Sequence, residues 1–360
     1  MANHVTLRLA MQQPHPHPPP LLRPPATVPI VFVQGMLSGV PQASEMRTRC
    51  LVDVGIAPEL LDEPGARVTA EQYHTLFRLL MDRLDDECLG LLSRRLKRGS
   101  LAMLVRAAAG APTLQAAIRR VAHIFRLLQD DVTLQPVRAG DGANELAGLA
   151  IRLVDPAART YEPFLHELLL RILWRLCAWL VGGQLPAARF DFAFNSPSYA
   201  SQYGKVFPAT LHFGCKESAF WFAAGRLADP IRRDDAAVRA FLADAQAQMI
   251  VPRRGNDAVG ARVREHLQRT MPAWPDLGAT AGAMSMSAST LQRKLAAEGT
   301  SFQSLKDELR RDMAIVRLNT SSVPLAQLAY DLGFADSPAF QRAFKGWTGS
   351  AAGAYRKGAG

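Results

Sequence analysis

The sequence predicts two parts: an N-terminal α+β domain, mostly helical with a small sheet, and an all-α C-terminal domain with two helix-turn-helix units joined by a long helix. Three observations lead to this prediction. Two helix-turn-helix patterns lie about fifty residues apart near the C-terminus, and an amphipathic helix separates them. The chain before them mixes helical periods with strand-like alternation.

The second helix-turn-helix pattern, residues 325–344, is the clearer of the two. The buried stripe of its first helix consists of Leu325, Leu328, Ala329 and Leu332. Gly333 then stands where a helix ends in a left-handed residue, a conformation that glycine adopts without steric cost. Asp336 or Ser337 can cap the next helix, and Pro338 suits its first turn. In that helix Phe340, Phe344 and Trp347 point inward, and the outward residues are Pro338, Gln341, Arg342 and Lys345.

The first helix-turn-helix pattern follows the same plan. The packing residues of its first helix are Thr280, Ala281 and Met284. Gly278 and Gly282 each cost that helix up to about 1 kcal/mol relative to alanine. Ser287 caps a second helix in which Leu291 and Leu295 face the core. The outward residues of this second helix are Ser289, Gln292 and Arg293.

A strong helix separates the two patterns. Thr300 to Gln303 is a capping box that predicts its start, and it ends near Asn319. Its buried stripe consists of Phe302, Leu305, Leu309, Met313 and Val316. Some eighteen residues at 1.5 Å each span roughly 27 Å, which suits a rigid spacer between the two units.

The chain from about Asn256 to Arg356 resembles the DNA-binding domain of the AraC/XylS transcription regulators. The stretches that carry this resemblance are residues 287–295, 299–302, 328–334 and 340–349. Two departures stand out. Ala351-Ala352 replaces the Ser-Pro that follows the final Thr-Gly of the family pattern, and Ser285 stands where a turn glycine is common.

This resemblance implies that one subunit binds double-stranded promoter DNA in two successive major grooves, which lie about 34 Å apart. The implied base-reading residues are Ser289, Gln292 and Arg293 in the first unit and Ser337, Gln341 and Arg342 in the second. The chemistry is consistent, because arginine can donate two hydrogen bonds to guanine and glutamine can pair with adenine. The alternative is that these residues are ordinary solvated positions on amphipathic helices.

The charge distribution is consistent with a nucleic-acid partner. Of a net charge of +10, residues 252–360 carry 15 Lys/Arg against 9 Asp/Glu, a net of +6. A basic surplus draws a domain towards phosphate backbones through counterion release. Coding bias is the alternative explanation, because 35 of the 42 basic residues are arginine.

The N-terminal part is predicted to combine helices with a small sheet. Helices are expected over residues 70–84 and 114–128, a β-hairpin over residues 132–137 and 145–154, and a strand over residues 189–194. Residues 164–181 read as an amphipathic helix in which Glu167, Arg171 and Arg175 form one charged stripe with helpful charge pairing. The region resembles the arabinose-binding-like sensor domain of one AraC/XylS subgroup. The matching stretches are residues 55–61, 66–68, 98–101, 111–117 and 212–214.

No pattern in the chain indicates an enzyme or a metal site. The candidate groups are His123, His166, Glu167, His212 and Cys215, but no zinc spacing, nucleophile elbow or phosphate loop accompanies them. Each histidine is therefore expected at the surface or hydrogen-bonded in the core. The four cysteines, Cys50, Cys88, Cys177 and Cys215, form neither a zinc motif nor a disulfide framework. We expect a cytoplasmic protein that has no cofactor and does not cross a membrane.

The expected domains are a disordered proline-rich tail (1–27), an effector-binding or dimerisation domain (28–230), a linker helix and hinge (231–255), and a DNA-binding domain (256–360). The hinge would let effector binding change the placement of the DNA-binding domain. The leading hypothesis is an effector-responsive transcription activator. Its other expected partners are RNA polymerase, which the family implies, an unidentified small-molecule effector and a second subunit. One alternative is a regulator whose N-terminal domain is an interaction module without a ligand; another is a decayed regulator.

Overall fold

A computed structural model describes residues 27–42, 44–154, 162–243 and 259–356. Most of the proline-rich tail, the predicted hinge at residues 251–255 and the end of the predicted linker helix lie outside these residues. Two regions of the described chain pack against each other: an N-terminal α+β region and an all-helical C-terminal region.

The N-terminal region begins with two short paired strands, and the chain forms two helices between them. β1 (Thr27–Pro29) pairs antiparallel with β2 (Arg67–Thr69). α1 (Ile30–Leu37), α2 (Glu45–Asp53) and a 3-10 turn (Pro58–Asp62) lie between the two strands in the chain. α3 (Ala70–Leu84) follows β2 directly. Thr69 caps it, because its hydroxyl accepts from the backbone N–H of Gln72 while the Gln72 side chain accepts from the N–H of Thr69.

Further along the chain, helices pack beside a five-stranded sheet. The helices are α4 (Ser100–Ala109), α5 (Leu114–Leu128) and α6 (Glu162–Leu180). The strands are β3 (Val132–Ala139), β4 (Leu146–Leu153), β5 (Arg189–Asp191), β6 (Thr210–His212) and β7 (Ser218–Ala223). The sheet order is β3-β4-β7-β5-β6, and only β5 and β6 pair in parallel. The predicted hairpin is confirmed as β3 and β4, whereas the strand predicted over residues 189–194 ends at Asp191.

The prediction that the charged stripe of α6 lies on a polar face is wrong. Glu167 and Arg171 were placed on a polar face with helpful pairing, but each is only 3% exposed. Their charged groups are not within 4.0 Å of each other, and Glu167 instead accepts hydrogen bonds from tyrosines. The four-residue spacing does put both on one side of α6, but other elements cover that side, which periodicity along one helix does not reveal.

The described residues of the C-terminal region form helices, a 3-10 turn and the loops between them. α7 (Asp235–Ala243) precedes this region and lies within residues 231–255, the span predicted to hold the linker. The remaining helices are α8 (Val259–Arg269), α9 (Leu277–Ala283), α10 (Ala288–Ala297), α11 (Phe302–Thr320), α12 (Leu325–Asp331) and α13 (Ser337–Thr348). A 3-10 turn (Ala352–Tyr355) follows α13. The cap of α11 is Ser301 rather than the predicted Thr300, because the Ser301 hydroxyl accepts from the Ser304 N–H.

Buried polar contacts join the two regions. Asp312 on α11 is fully buried and accepts a hydrogen bond of 2.6 Å from the Thr27 hydroxyl of β1. The Arg67 guanidinium lies 3.9 Å from the same carboxylate oxygen, and the Arg67 backbone N–H donates to the Tyr355 hydroxyl at 3.2 Å. Arg67 also donates to the Thr27 hydroxyl at 2.7 Å. The β1–β2 pair therefore docks on the middle of α11 and on the C-terminal 3-10 turn.

Candidate nucleic-acid interface

The α12–α13 pair has the capped, tight geometry that the sequence predicts. Gly333 has a φ of +72° and ends α12, and a Cβ there would lie 2.7 Å from the Trp274 ring. Asp336 caps α13 by accepting from the Ala339 N–H at 2.6 Å. Phe340 and Phe344 are fully buried, so the opposite face of α13 points to solvent.

The candidate base-reading residues of α13 lie on that outer face. Gln341 and Arg342 are exposed, and Ser337 is half-buried at the first turn. The Gln341 side-chain amide donates to the Ser337 hydroxyl at 3.2 Å. Among the described residues, no carboxylate lies within 4.0 Å of the Arg342 guanidinium. Its donors are therefore available to a phosphate or a base edge.

The α9–α10 pair repeats this arrangement with a less favourable turn. Ser285 has a φ of +57° at the position where glycine is common in the family, so this turn carries backbone strain. Ser287 caps α10 through the Thr290 N–H. Leu291 and Leu295 are fully buried, and the exposed residues of α10 include Ser289, Gln292 and Arg293. The three predicted residues thus lie together on one outward face.

Trp274 connects the two helix pairs, a contact that sequence reasoning missed. It lies between α8 and α9, and its indole N–H donates to the Asp331 carbonyl at the end of α12 over 2.9 Å. The Arg310 guanidinium of α11 lies 4.9 Å from the Trp274 ring centroid and 4.9 Å from that of Phe334. The only signal available in the sequence was the presence of aromatic and arginine residues, because the partners of Trp274 lie 36 to 60 residues further along the chain. This stack holds the two pairs at a set placement.

Two half-buried ion pairs reinforce the central helix α11. Arg264 of α8 lies 2.6 Å from Glu308, and Arg317 lies 2.6 Å from Asp331 of α12. Because these groups are mostly withdrawn from solvent, the pairs are screened less than exposed ones. α11 is therefore tied to a helix on each side.

The candidate chemical groups of the N-terminal region do not converge. His123 is exposed, and His212 Nδ1 lies 3.3 Å from Asp191 Oδ1. Cys215 is half-buried. Within the described ranges, no group of three or more His, Cys, Asp or Glu residues could hold a metal ion. The same residues include no helix that is long and apolar enough to span a membrane.

His166 contradicts the expectation of a surface or hydrogen-bonded histidine. It is 1% exposed, and neither ring nitrogen has a hydrogen-bond partner among the residues that the structure describes. Burial lowers the pKa of His166 to about 4. The ring packs against Phe194 at 5.9 Å between centroids.

Glu167 is the centre of a buried polar cluster on α6. Its Oε1 accepts from the Tyr199 hydroxyl at 3.0 Å and from the Tyr203 hydroxyl. Burial raises the pKa of Glu167 to about 7, although both tyrosine hydrogen bonds and the charge of Arg171 act against the rise. The α6 polar cluster, as we name it, comprises His166, Glu167, Arg171, Tyr73, Tyr199 and Tyr203.

The raised pKa of Glu167 predicts a pH-dependent stability. The native state binds the proton of the Glu167 carboxyl group more tightly than the unfolded chain does. The protonated carboxyl group therefore stabilises the native state fully below about pH 4.5, and this stabilisation is lost as the pH rises through 7. From about pH 5 to pH 8, the wild type should therefore lose about 2 kcal/mol more unfolding free energy than Glu167→Gln. Urea unfolding at the two pH values measures the difference.

An exposed carboxylate on α3 supplies the control for this experiment. Glu71→Gln should leave the pH dependence of the wild type unchanged. His166 contributes in the opposite sense, because its stabilisation is lost as the pH falls from 6.5 to 4, but this contribution is common to all variants. Equal slopes for wild type and Glu167→Gln would contradict the prediction.

A shallow cleft lies at the start of α7. It has a volume of about 440 Å³ and is open to solvent. Its lining includes Arg106, Gly110, Arg233, Asp235 and Arg239. The large exposed apolar side chains among the described residues belong to different elements or loops: Val52, Met103, Leu127, Val154 and Tyr330. Neither feature by itself separates a ligand-binding domain from an interaction module.

Two family models match the chain. Residues 47–231 match the arabinose-binding domain of AraC transcription regulator, N-terminal, and residues 280–358 match a helix-turn-helix domain. The chain is 28% identical over 341 residues to the ornithine utilization regulator of Pseudomonas aeruginosa, covering 92% of this chain and 96% of that one.

Two further similarities are more limited. The regulator VqsM of Pseudomonas aeruginosa is 32% identical over 95 residues, which are 26% of this chain and 29% of VqsM. The crystal structure of the transcriptional regulator CdpR from Pseudomonas aeruginosa aligns over 91% of this chain and 96% of its own, at 20% identity. Its TM-score of 0.32 is too low to support a structural argument.

Proposed function

The chain belongs to the AraC family of DNA-binding transcription regulators, and from this premise we propose that α9–α10 and α12–α13 act as two helix-turn-helix units on one DNA site. In each unit the second helix, α10 or α13, enters a major groove with its outward face. The observation that carries the proposal is the outward, exposed position of Arg293 and Arg342 on those two helices.

The proposed contacts follow from side-chain chemistry. Arg293 and Arg342 donate two hydrogen bonds each to guanine, and Gln292 and Gln341 pair with adenine. Ser289 and Ser337 contact a base or a phosphate through their hydroxyls. The hydrogen bond between Gln341 and Ser337 holds the glutamine amide against the first turn of α13 before DNA arrives.

The spacing between the two units supports simultaneous binding. α11 has 19 residues and so spans roughly 28 Å at 1.5 Å per residue. Successive major grooves on one DNA face lie about 34 Å apart, so a rigid helix of this length suits a spacer between two units that bind adjacent grooves. The Trp274–Arg310–Phe334 stack keeps the units from rotating independently.

Domain assignment is part of the same proposal. Residues 28–230 form the sensor domain, residues 231–255 the linker and residues 256–360 the DNA-binding domain. The matches over 47–231 and 280–358 support these assignments. We assign effector binding to the sensor domain and base reading to the C-terminal domain.

Arg342→Ala should weaken specific DNA binding by about 1–3 kcal/mol and relax the preference at one base pair. The physical reason is that a bidentate contact to guanine is lost while the fold of α13 is retained. Fluorescence anisotropy of the full-length protein measures the loss, on DNA from upstream of its own and neighbouring genes with scrambled DNA as competitor. Arg293→Ala should have an effect of the same size at a base pair in the other groove.

Arg126→Ala is the matched control for charge. It removes the same charge from an exposed position on α5, outside the DNA-binding domain, and should leave specific affinity unchanged. Full affinity and sequence preference in Arg342→Ala would remove Arg342 from the base-reading set. If scrambled DNA competes fully and neither arginine variant matters, binding is electrostatic only and the proposed function fails.

A further inference from the structure

The α6 polar cluster contains an unusual buried cation. Arg171 is 3% exposed, and no carboxylate of the described residues lies within 4.0 Å of its guanidinium. Its Nε has no hydrogen-bond partner among those residues, and the Tyr73 hydroxyl lies beside it. A guanidinium removed from water is strongly unfavourable unless an anion or good acceptors meet it. Arg171 is therefore suited to binding a carboxylate.

The neighbouring Glu167 offers the opposite chemistry. It lies one helical turn before Arg171 on the same side of α6 and interacts electrostatically with it from beyond 4.0 Å. Tyr199 and Tyr203 donate to one of its oxygens, and aromatic rings surround this position. Tyr203 lies 5.2 Å from Phe192 between ring centroids. Carboxylates and aromatic faces together suit an ammonium group.

We propose that the α6 polar cluster is the effector site of the sensor domain and binds a free α-amino acid. Arg171 holds the α-carboxylate in a bidentate contact, and Glu167 accepts hydrogen bonds from the α-ammonium group. His166, whose ring nitrogens are otherwise unpartnered among the described residues, bonds to the remaining polar atoms of the ligand. This inference rests on the proposed function, because it assigns the effector class of that regulator.

The cluster is connected to the DNA-binding domain through the segment that covers it. Residues 199–205 carry Tyr199 and Tyr203, and between them Gln202 accepts from the Arg67 guanidinium at 3.4 Å. Arg67 in turn lies against Asp312 on α11. An amino acid whose ammonium group takes over Oε1 of Glu167 displaces the two tyrosine hydroxyls, and this displacement moves the contact with Arg67. The site thus has a direct route to the helix between the two DNA-binding units.

Binding to the full-length protein tests this inference. Thermal-shift measurements with each of the proteinogenic L-amino acids and L-ornithine identify a ligand, and calorimetry gives its affinity. We expect at least one amino acid to bind, and its amine and acid analogues, lacking the carboxylate or the amino group, to bind at least tenfold more weakly. Arg171→Met should weaken binding about 30-fold or more, because it removes one partner of a buried charge pair.

Variants on the same helix and the same cluster separate binding from folding. Arg175→Gln, one turn further along α6, should keep wild-type affinity for the amino acid. Tyr199→Phe keeps the ring, removes one hydrogen bond to Glu167 and should change the affinity without loss of the fold, which makes it usable if Arg171→Met does not fold. Thermal melts and DNA affinity report on the fold of each variant.

The outcomes for the two proposals are distinguishable. If no amino acid shifts the melting temperature, or if Arg171→Met, folded, binds as the wild type does, the α6 polar cluster is a structural core and the inference is wrong. Specific DNA binding by the unliganded protein remains measurable in that case. If amino acids bind but no DNA is bound specifically, the proposed function fails instead. The bound amino acid should also change DNA affinity, and Gln202→Ala should reduce that change.

Discussion

Arg67→Met should lower the free energy of unfolding by about 3 kcal/mol, because it leaves the Asp312 carboxylate buried without its cation from the N-terminal region. Asp312 is fully buried and Arg67 is 5% exposed. The value lies at the lower end of the range for broken buried pairs, because Arg311 also donates to Asp312 at 3.1 Å. The loss of two hydrogen bonds from Arg67 to Thr27 adds to the effect. Urea unfolding followed by circular dichroism measures it.

A double replacement tests the physical reason. Arg67→Met with Asp312→Leu removes both charges and should recover most of the lost stability, since apolar side chains of similar size replace a buried pair at little cost. Arg152→Met breaks the exposed pair with Glu217 and should cost less than about 1 kcal/mol. A double variant as unstable as Arg67→Met alone would show that the buried charge is not the cause.

Trp274→Ala should destabilise the C-terminal domain by about 3–5 kcal/mol, the usual cost of removing a buried aromatic side chain. The indole is 5% exposed, stacks on Arg310 and donates to the Asp331 carbonyl. Specific DNA affinity should fall tenfold or more, because the two units lose their set separation and binding of the second is no longer favoured by binding of the first. Thermal unfolding and anisotropy measure the two effects.

Trp274→Phe is the control that separates the ring from its donor. It keeps an aromatic face for Arg310 and loses only the hydrogen bond to Asp331, so it should cost about 1 kcal/mol. Its DNA affinity should stay near that of the wild type. If Trp274→Ala binds specific DNA as tightly as the wild type, the placement of the two units does not depend on this stack.

Local features of the DNA-binding domain could be predicted from the sequence. Gly333 adopts the left-handed conformation that ends α12, and Asp336 caps α13, because both effects depend on residues within one turn. The outward positions of Arg293 and Arg342 follow from helical spacing and agree with the structure. Whether these residues read bases stays a prediction. The predicted capping residue of α11 was wrong by one position, because Thr300 and Ser301 both carry a hydroxyl group that can cap a helix.

Features that join distant segments could not be predicted. The sequence predicted a polar face with paired charges for the stripe on α6. The spacing of residues along one helix does not reveal that Tyr199 and Tyr203, from another segment, cover Glu167. His166 was expected to have a partner for the same reason. Trp274 and Arg310, and likewise Arg67 and Asp312, meet only in the folded chain. Their sequence separations carry no periodic signal.

The hydrogen bond between Thr27 and Asp312 joins residues that are 285 positions apart. At about 5–20 residues per second, a ribosome needs roughly 15–60 s to add that length of chain. The β1–β2 pair therefore emerges long before its partner helix, and the polar face that α11 later buries is solvated while the N-terminal region folds. A nascent chain has time to fold the N-terminal region first, and the C-terminal helices then dock on a surface that has already formed.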